Sequence, residues 1–415
     1  MATLHRPTAE EKALARYRVK ASSESTIPTQ PEQERVLVAG ISLKGDRNAR
    51  WSLTDSMSEL VQLVHSAGGE VVEEITQSID RPTSVYMGHG KIAELKEAGE
   101  KVDYTVAVFN DELTPAQQRN LERELEVKVL DRSALILDIF ADRARTKEGV
   151  LQVELAQTQY LLPRLSGQWS HLERLGGGIG TRGPGESQLE TDRRLARGRI
   201  SKLKRELEDV IAHRSRHRSR RETNRVPVVS LVGYTNTGKS TLFNALVKAE
   251  VQAESKPFTT LDPITRQMYL PDGSRALLTD TVGFIHKLPH ALVAAFRATL
   301  EELSEADLLL HVVDISHRNA AEHILVVEDT LKELKMQDKP ILLVLNKMDL
   351  AMNSGDSDVA TTPDLSALGE SAEGGVMISA SLGWGLDLLM TTLLERLDQI
   401  TGKEVAGQSD VHFIN

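Results

Sequence analysis

The stretch Val226-Pro-Val-Val-Ser-Leu-Val-Gly-Tyr-Thr-Asn-Thr-Gly-Lys-Ser-Thr241 limits this chain to a small set of folds. Its Val-rich start reads as a buried strand, the pattern breaks at Gly233, and a helix-forming run from Leu242 to Lys248 follows. Gly-x4-Gly-Lys-Ser between a strand and a helix is the spacing of a phosphate-cradling loop. Glycines let successive N–H groups, here those of Gly233, Tyr234, Thr235, Asn236, Thr237 and Gly238, converge on phosphate oxygens. The following helix presents its positive N-terminal end, with Thr241 in its first turn. Lys239 is expected to reach the β- and γ-phosphates, and the Ser240 hydroxyl to hold Mg²⁺. The bland alternative is a Gly-rich turn ahead of a helix.

Four further motifs follow in the order a guanine-nucleotide switch requires. Phe258-Thr259-Thr260-Leu261-Asp262 lies in a loop before a hairpin, and Thr260 is the chosen threonine for Mg²⁺ and the γ-phosphate. Asp280-Thr281-Val282-Gly283 ends a strand; Asp280 is expected to hold Mg²⁺ through water, and the Gly283 N–H to touch the γ-phosphate. That contact exists only with the triphosphate, so its loss on hydrolysis releases the loop. Asn346-Lys347-Met348-Asp349 follows another strand. A carboxylate there can accept from guanine N1–H and N2–H together, whereas adenine would leave it unpaired. Ser379-Ala380 after the last strand is placed to offer an N–H to guanine O6. Where many switch GTPases carry a water-orienting Gln, this chain has Phe284, which neither donates nor accepts. No catalytic residue is therefore assigned, and slow intrinsic turnover raised by a macromolecular partner is expected.

The 415 residues divide by texture. Residues 1–34 are polar and charged and read as a flexible tail. Residues 35–145 alternate strand and helix patterns and predict a small parallel α/β domain. Its loop Arg81–Lys91, with two glycines near a helix start, is a simple turn or a ligand loop. In 146–225 two apolar stripes, Leu151 to Leu165 and Ala196 to Val210, step by 3 and 4 and predict an antiparallel helical hairpin. Between them lies Arg174-Leu-Gly-Gly-Gly-Ile-Gly-Thr-Arg-Gly-Pro-Gly-Glu186, too rich in Gly to build a core. Its Arg174, Gly176, Gly177, Gly178 and Arg182, with Arg193 and Arg194 behind them, are candidates to contact RNA phosphates. A solvated coiled-coil arm is the competing reading. Residues 226–400 form a doubly wound sheet domain, and 401–415 a short tail. The fold class is thus α/β: an N-terminal α/β domain, a helical hairpin and a doubly wound nucleotide-binding domain.

Net charge is −10, which argues against a uniformly basic coat, yet Arg193 to Arg225 holds 13 Lys or Arg against 4 Asp or Glu. The absence of Cys excludes disulfides and thiolate metal sites and fits a reducing cytoplasm. The N-terminus is no signal peptide, and no apolar run suits a membrane span.

Longer strings are more specific than any of these motifs. Leu130-Asp-Arg-Ser-Ala-Leu-Ile-Leu-Asp-Ile-Phe140, Glu148-Gly-Val-Leu-Gln-Val-Glu-Leu-Ala-Gln157, Gly176–Glu186, Gln188-Leu-Glu-Thr-Asp-Arg-Arg194 and Leu288-Pro-His-Ala-Leu-Val-Ala-Ala-Phe-Arg297 are the pattern of one family. Over about residues 35–400 the chain resembles the HflX family of ribosome-associated GTPases, which also carries a hydrophobic residue at the position of Phe284. The resemblance implies Mg²⁺-dependent GTP hydrolysis and a monomer that binds the large (50S) ribosomal subunit. It also implies splitting of idle or stalled ribosomes under stress, with the Gly-rich tip reaching 23S rRNA near the peptidyl-transferase centre. Some relatives carry a further small domain that this chain is too short to hold, and ATP use through the N-terminal half stays unassigned for want of a phosphate loop there. Two rival readings share the motifs: a large-subunit assembly GTPase, and a GTP-gated ribosome- or RNA-binding module with little hydrolysis. A general RNA-remodelling protein is disfavoured by the net acidity.

Overall fold

A computed structural model describes residues 33–45, 51–165, 184–218, 226–247, 257–258, 260–287, 303–353 and 374–402, with backbone alone for 184–189, 211, 213–218 and 401. The flexible-tail readings lie outside these residues except at 33–34 and 401–402, as do Thr259 and the Gly-rich tip up to 183; the tip's last residues, 184–186, already belong to a helix. Most of the helix expected near 291–303 and of the insertion expected at 351–374 also lies outside them. The chain forms two compact units: one ends at Arg132, and the other begins at Ser133 and takes in Trp51 and Ser52 as well.

The first unit is a four-stranded parallel sheet in the order β2-β1-β3-β4, built from β1 (Arg35–Leu43), β2 (Glu70–Ile79), β3 (Val106–Phe109) and β4 (Lys128–Asp131). Crossover helices α1 (Leu53–Ser66), α2 (His89–Val102) and α3 (Pro115–Leu125) connect them. Parallel pairing demands such crossovers, and it leaves β3 buried at all four positions, as its Val-Ala-Val-Phe run requires. Helix α3 starts where Thr114 and Gln117 cap one another and Pro115 takes the first helical position. At the carboxyl ends of the strands, buried Arg132 pairs with Glu59 and donates to Asn110 Oδ1 at 3.1 Å. Ser56 completes that network through Asn110. Among the described residues no glycine-rich phosphate loop accompanies it.

Helix α4 (Arg132–Arg143) opens with the last residue of the first unit and otherwise belongs to the second, where it leads to α5 (Lys147–Leu161), which packs on the long α6 (Pro184–Arg218). Leu151 and Leu155 meet Leu203 and Leu207, and Arg199 pairs with Glu154, so the expected stripes do face each other. The first helix stops at Leu161, short of the Leu165 that the spacing had included.

A six-stranded sheet makes up the rest. Its order is β10-β9-β8-β5-β7-β6, with β5 (Val228–Val232), β6 (Ile264–Tyr269), β7 (Arg275–Asp280), β8 (Leu308–Asp314), β9 (Ile341–Asn346) and β10 (Val376–Met377). All pairs are parallel except β6 with β7, the hairpin signalled by the Pro271–Ser274 turn. Every residue of β8 is buried, as a central strand covered on both faces must be. Helices α7 (Lys239–Val247), α8 (Ala320–Glu333), α9 (Met348–Asn353) and α10 (Leu386–Thr401) complete the unit, and the core runs through Leu231, Phe243, Leu310, Val344 and Leu393. Among the described residues no helix is long and apolar enough to cross a membrane.

Candidate nucleotide site

Loops that leave the carboxyl ends of β5, β7, β9 and β10, with the loop that enters antiparallel β6, gather on one edge of the sheet, where a doubly wound fold places its ligand. They enclose a cavity of about 340 Å³. Thr235, Asn236, Gly238, Lys239, Ser240 and Thr241 line it from the first loop, Phe258 and Thr260 from the second, and Thr281 and Gly283 from the third. Asn346, Lys347 and Asp349 close it at the far end with Ala380. Sequence reasoning passed over two lining residues, Leu350 and Ser381. Each directly follows a named motif, and that adjacency was the only signal.

The phosphate loop has the geometry its glycines allow. Gly238 lies at φ +92°, and a Cβ there would collide with Asn346 Nδ2, so both backbone and space exclude other residues. Lys239 turns inward, donating to the carbonyls of Gly233 at 3.1 Å and Tyr234 at 2.6 Å. Burial brings its pKa down to about 8, against the pull of the Asp280 carboxylate and with the push of Lys347. Gly233, Tyr234 and Thr237 lie behind the lining. The Tyr234 ring stacks on His323 with centroids 3.9 Å apart, and its hydroxyl accepts from the His286 N–H at 2.7 Å.

Ser240, Thr260 and Asp280 come together although 40 residues of sequence separate the first from the last. Both hydroxyls donate to Asp280 Oδ2, at 2.7 and 2.8 Å, and their oxygens are 2.8 Å apart. Asp280 is fully buried, and desolvation raises its pKa although Ser240, Lys239 and Thr260 each favour the charged form. Two hydroxyls around one buried carboxylate, all hard oxygen donors, fit Mg²⁺, which prefers oxygen and keeps waters for its remaining positions. A bound Mg²⁺ would add to the positive charge of Lys239 beside this desolvated carboxylate, whose Oδ1 is buried without a hydrogen-bond partner among the described residues.

At the other end, Asn346 braces three loops at once. Its Nδ2 donates to the Thr237 carbonyl at 2.8 Å, and its Oδ1 accepts from the Ala380 N–H at 3.0 Å. Lys347, held at φ 64°, pairs with Asp314 Oδ2 at 2.6 Å. Asp349 Oδ1 is buried without a hydrogen-bond partner among the described residues, an arrangement that costs about 1–3 kcal/mol or more unless a ligand donor meets it. Met348 and Ser379 serve the frame: the Met348 N–H bonds the Ile378 carbonyl at 3.1 Å, and Ser379 is buried.

Some named residues do not reach the cavity. Leu261 and Val282 are buried, and the Asp262 carboxylate turns outward to Arg145 and Thr146. Phe284 is buried as well, and its backbone clips the phosphate loop by bonding Thr235 N–H and the Gly233 carbonyl. Arg193 and Arg194 lie on α6, half-buried and exposed respectively; Arg174, Gly176, Gly177, Gly178 and Arg182 fall outside the described residues.

Comparison with known proteins agrees with this geometry. Residues 228–347 match the family model described as 50S ribosome-binding GTPase, 54–141 the GTP-binding GTPase N-terminal model, and 143–221 the GTP-binding GTPase middle region. A protein of Lacrimispora saccharolytica named GTPase HflX is 49% identical over 87% of this chain and 82% of its own. The protein of that name from Escherichia coli K12 is 48% identical over 83% of this chain and 79% of its own. A solved GTP-binding protein from Sulfolobus solfataricus, in complex with GDP, is 25% identical with a TM-score of 0.44, covering 88% of this chain and 99% of that one. With identities near one half across most of both lengths, the chain belongs to the GTPase HflX family.

Proposed function

We propose that this GTPase is a Mg²⁺-dependent switch that acts on the large ribosomal subunit as a monomer in the cytoplasm, splitting or rescuing idle and stalled ribosomes under stress. The observation that carries the switch is the meeting of Ser240 and Thr260 on Asp280, which joins the phosphate loop, the Thr260 loop and the Asp280 loop at one point. In this reading Ser240 and Thr260 hold Mg²⁺ and Asp280 holds it through water. Mg²⁺ supplies positive charge to the phosphate oxygens. Residues Gly233 to Thr241 hold the phosphates, Thr260 and the Gly283 N–H sense the γ-phosphate, and Asp349 accepts from guanine beside Asn346, Lys347 and Ala380. Family membership and the family description of 228–347 support the ribosomal partner. Arg193 and Arg194, with Arg174, Gly176, Gly177, Gly178 and Arg182, are the proposed contacts to 23S rRNA.

Phe284 favours one second reading, a GTP-gated binding module with little hydrolysis, because a buried phenyl ring cannot orient water. GTP turnover measured alone, with large subunits, with small subunits, and for a protein lacking Gly176–Gly185 separates the two. Stimulation by large subunits that the deletion weakens is expected. Equal, feeble turnover in every mixture would leave the binding module. Sucrose-gradient profiles of intact ribosomes with GTP test splitting directly, a rise in free subunits being the expected result.

A further inference from the structure

The loop that carries Thr260 is anchored on both sides to the helices α4 and α5, outside the nucleotide cavity. Two positions before it, Phe258 is buried at φ 59°, a backbone region that a bulky residue occupies only when its surroundings enforce it. Its ring meets Phe140 of α4 edge-on, with centroids 4.6 Å apart. Two positions after it, Asp262 sits on the N-terminus of α5. Its Oδ2 accepts from the backbone N–H groups of Arg145 and Thr146, both at 2.8 Å, and its Oδ1 accepts from the Thr146 hydroxyl at 2.5 Å. The same hydroxyl oxygen caps the helix by accepting from the Gly149 N–H at 3.0 Å. Gly149 leaves the room that this needs: a Cβ there would collide with Asp262 Oδ1. A carboxylate at this end of a helix is also favoured by the helix dipole.

We propose that Asp262 is a positioning residue for triphosphate recognition: docked on the N-terminus of the hairpin helix α5, it holds Thr260 at the Mg²⁺ site. The inference rests on the reading of Thr260 as the residue that senses Mg²⁺ and the γ-phosphate. The placement makes the hairpin part of the nucleotide reading. Helix α5 is joined to α6 through Leu151, Leu155, Leu203 and Leu207, so a load on the hairpin reaches the clasp. Coupling of this kind is reciprocal. A partner that pulls α5 away from Asp262 lowers triphosphate affinity, and triphosphate bound at Thr260 favours the docked position of α5.

Four full-length proteins test this: wild type, Asp262→Asn, Gly149→Ala and Thr260→Ala. The dissociation constants of Mg·GDP and of a non-hydrolysable Mg·GTP analogue are measured for each. Asp262→Asn is expected to leave GDP affinity unchanged and to weaken the analogue about tenfold, within the usual range of coupling between sites. Gly149→Ala is expected to do the same without lowering the thermal midpoint. Alanine favours the helix, while its methyl group displaces the carboxylate. A mere loss of helix stability would move the midpoint and spare the ratio of the two constants. Wild-type ratios in both clasp variants, beside a lost ratio in Thr260→Ala, would overturn the clasp and keep the Thr260 reading. A wild-type ratio in Thr260→Ala would overturn both.

Discussion

At the scale of single residues, the site is a set of polar atoms waiting for particular partners. Asp349 Oδ1 is the plainest, buried and without a partner among the described residues. Asp349→Asn removes the acceptor that guanine N–H groups require, and two charge-assisted bonds are at stake. GTP affinity is expected to fall about 100-fold or more. Xanthosine triphosphate, which offers a carbonyl where guanine has an amine, is expected to gain, and competition binding reads both. Lys239 gives a pH effect. Its pKa in this structure is about 8, below the usual lysine value of 10.5, because burial disfavours the cation. That penalty is present below pH 8 and is relieved as pH climbs toward 10.5, so this group makes the protein more stable across that window. Phosphates favour the cation, so above pH 8 nucleotide binding takes up a proton and weakens as pH rises. Titration calorimetry at pH 8.5 in two buffers of different ionisation enthalpy measures the uptake; equal apparent enthalpies would refute it.

At the scale of elements, the pairing of α5 with α6 rests on few apolar side chains, because α6 carries mostly charge outside its single stripe. Leu203 is completely buried. Leu203→Ala is expected to cost about 2–5 kcal/mol locally. Faster amide exchange across α5 and α6, with β5 and β8 unchanged, is the measurable result. In the first unit, Glu59→Ala would strand the buried Arg132 guanidinium. The expected loss is about 3–5 kcal/mol, seen as a lower urea midpoint. Replacing both residues by apolar ones of similar size is expected to restore most of it, since the desolvation of two charges is then avoided.

For the whole molecule, charge placement sets how a partner is met. The chain carries −10 in total, yet the stretch from Arg193 to Arg225 is strongly basic. Binding to large subunits through phosphates is therefore expected to weaken steeply with salt, while nonspecific binding to RNA is held down by the acidic remainder. Arg193→Ala with Arg194→Ala should lower the slope of log affinity against log salt by roughly 0.7–0.9 for each phosphate no longer neutralised. An unchanged slope would remove both residues from the interface.

The sequence by itself determined the strands of both sheets and most of the helices between them, among the described residues, because those signals are local. A Val-rich run broken by Gly233 and followed by Gly238-Lys239-Ser240 has few physical solutions, and the Pro271–Ser274 turn closes its hairpin through contacts between near neighbours. The alternation of strand and helix then required crossovers and a parallel sheet. Tertiary structure decided what depends on residues far apart in the chain. Nothing local in Asp262 distinguishes a ligand-facing carboxylate from one docked on Thr146, 116 positions away. Asn346 likewise reads as one letter of a motif, and only folding shows it bonding both Thr237 and Ala380. Hydrogen bonds of that range follow from how helices lie on a sheet, and side-chain periodicity carries no record of that packing.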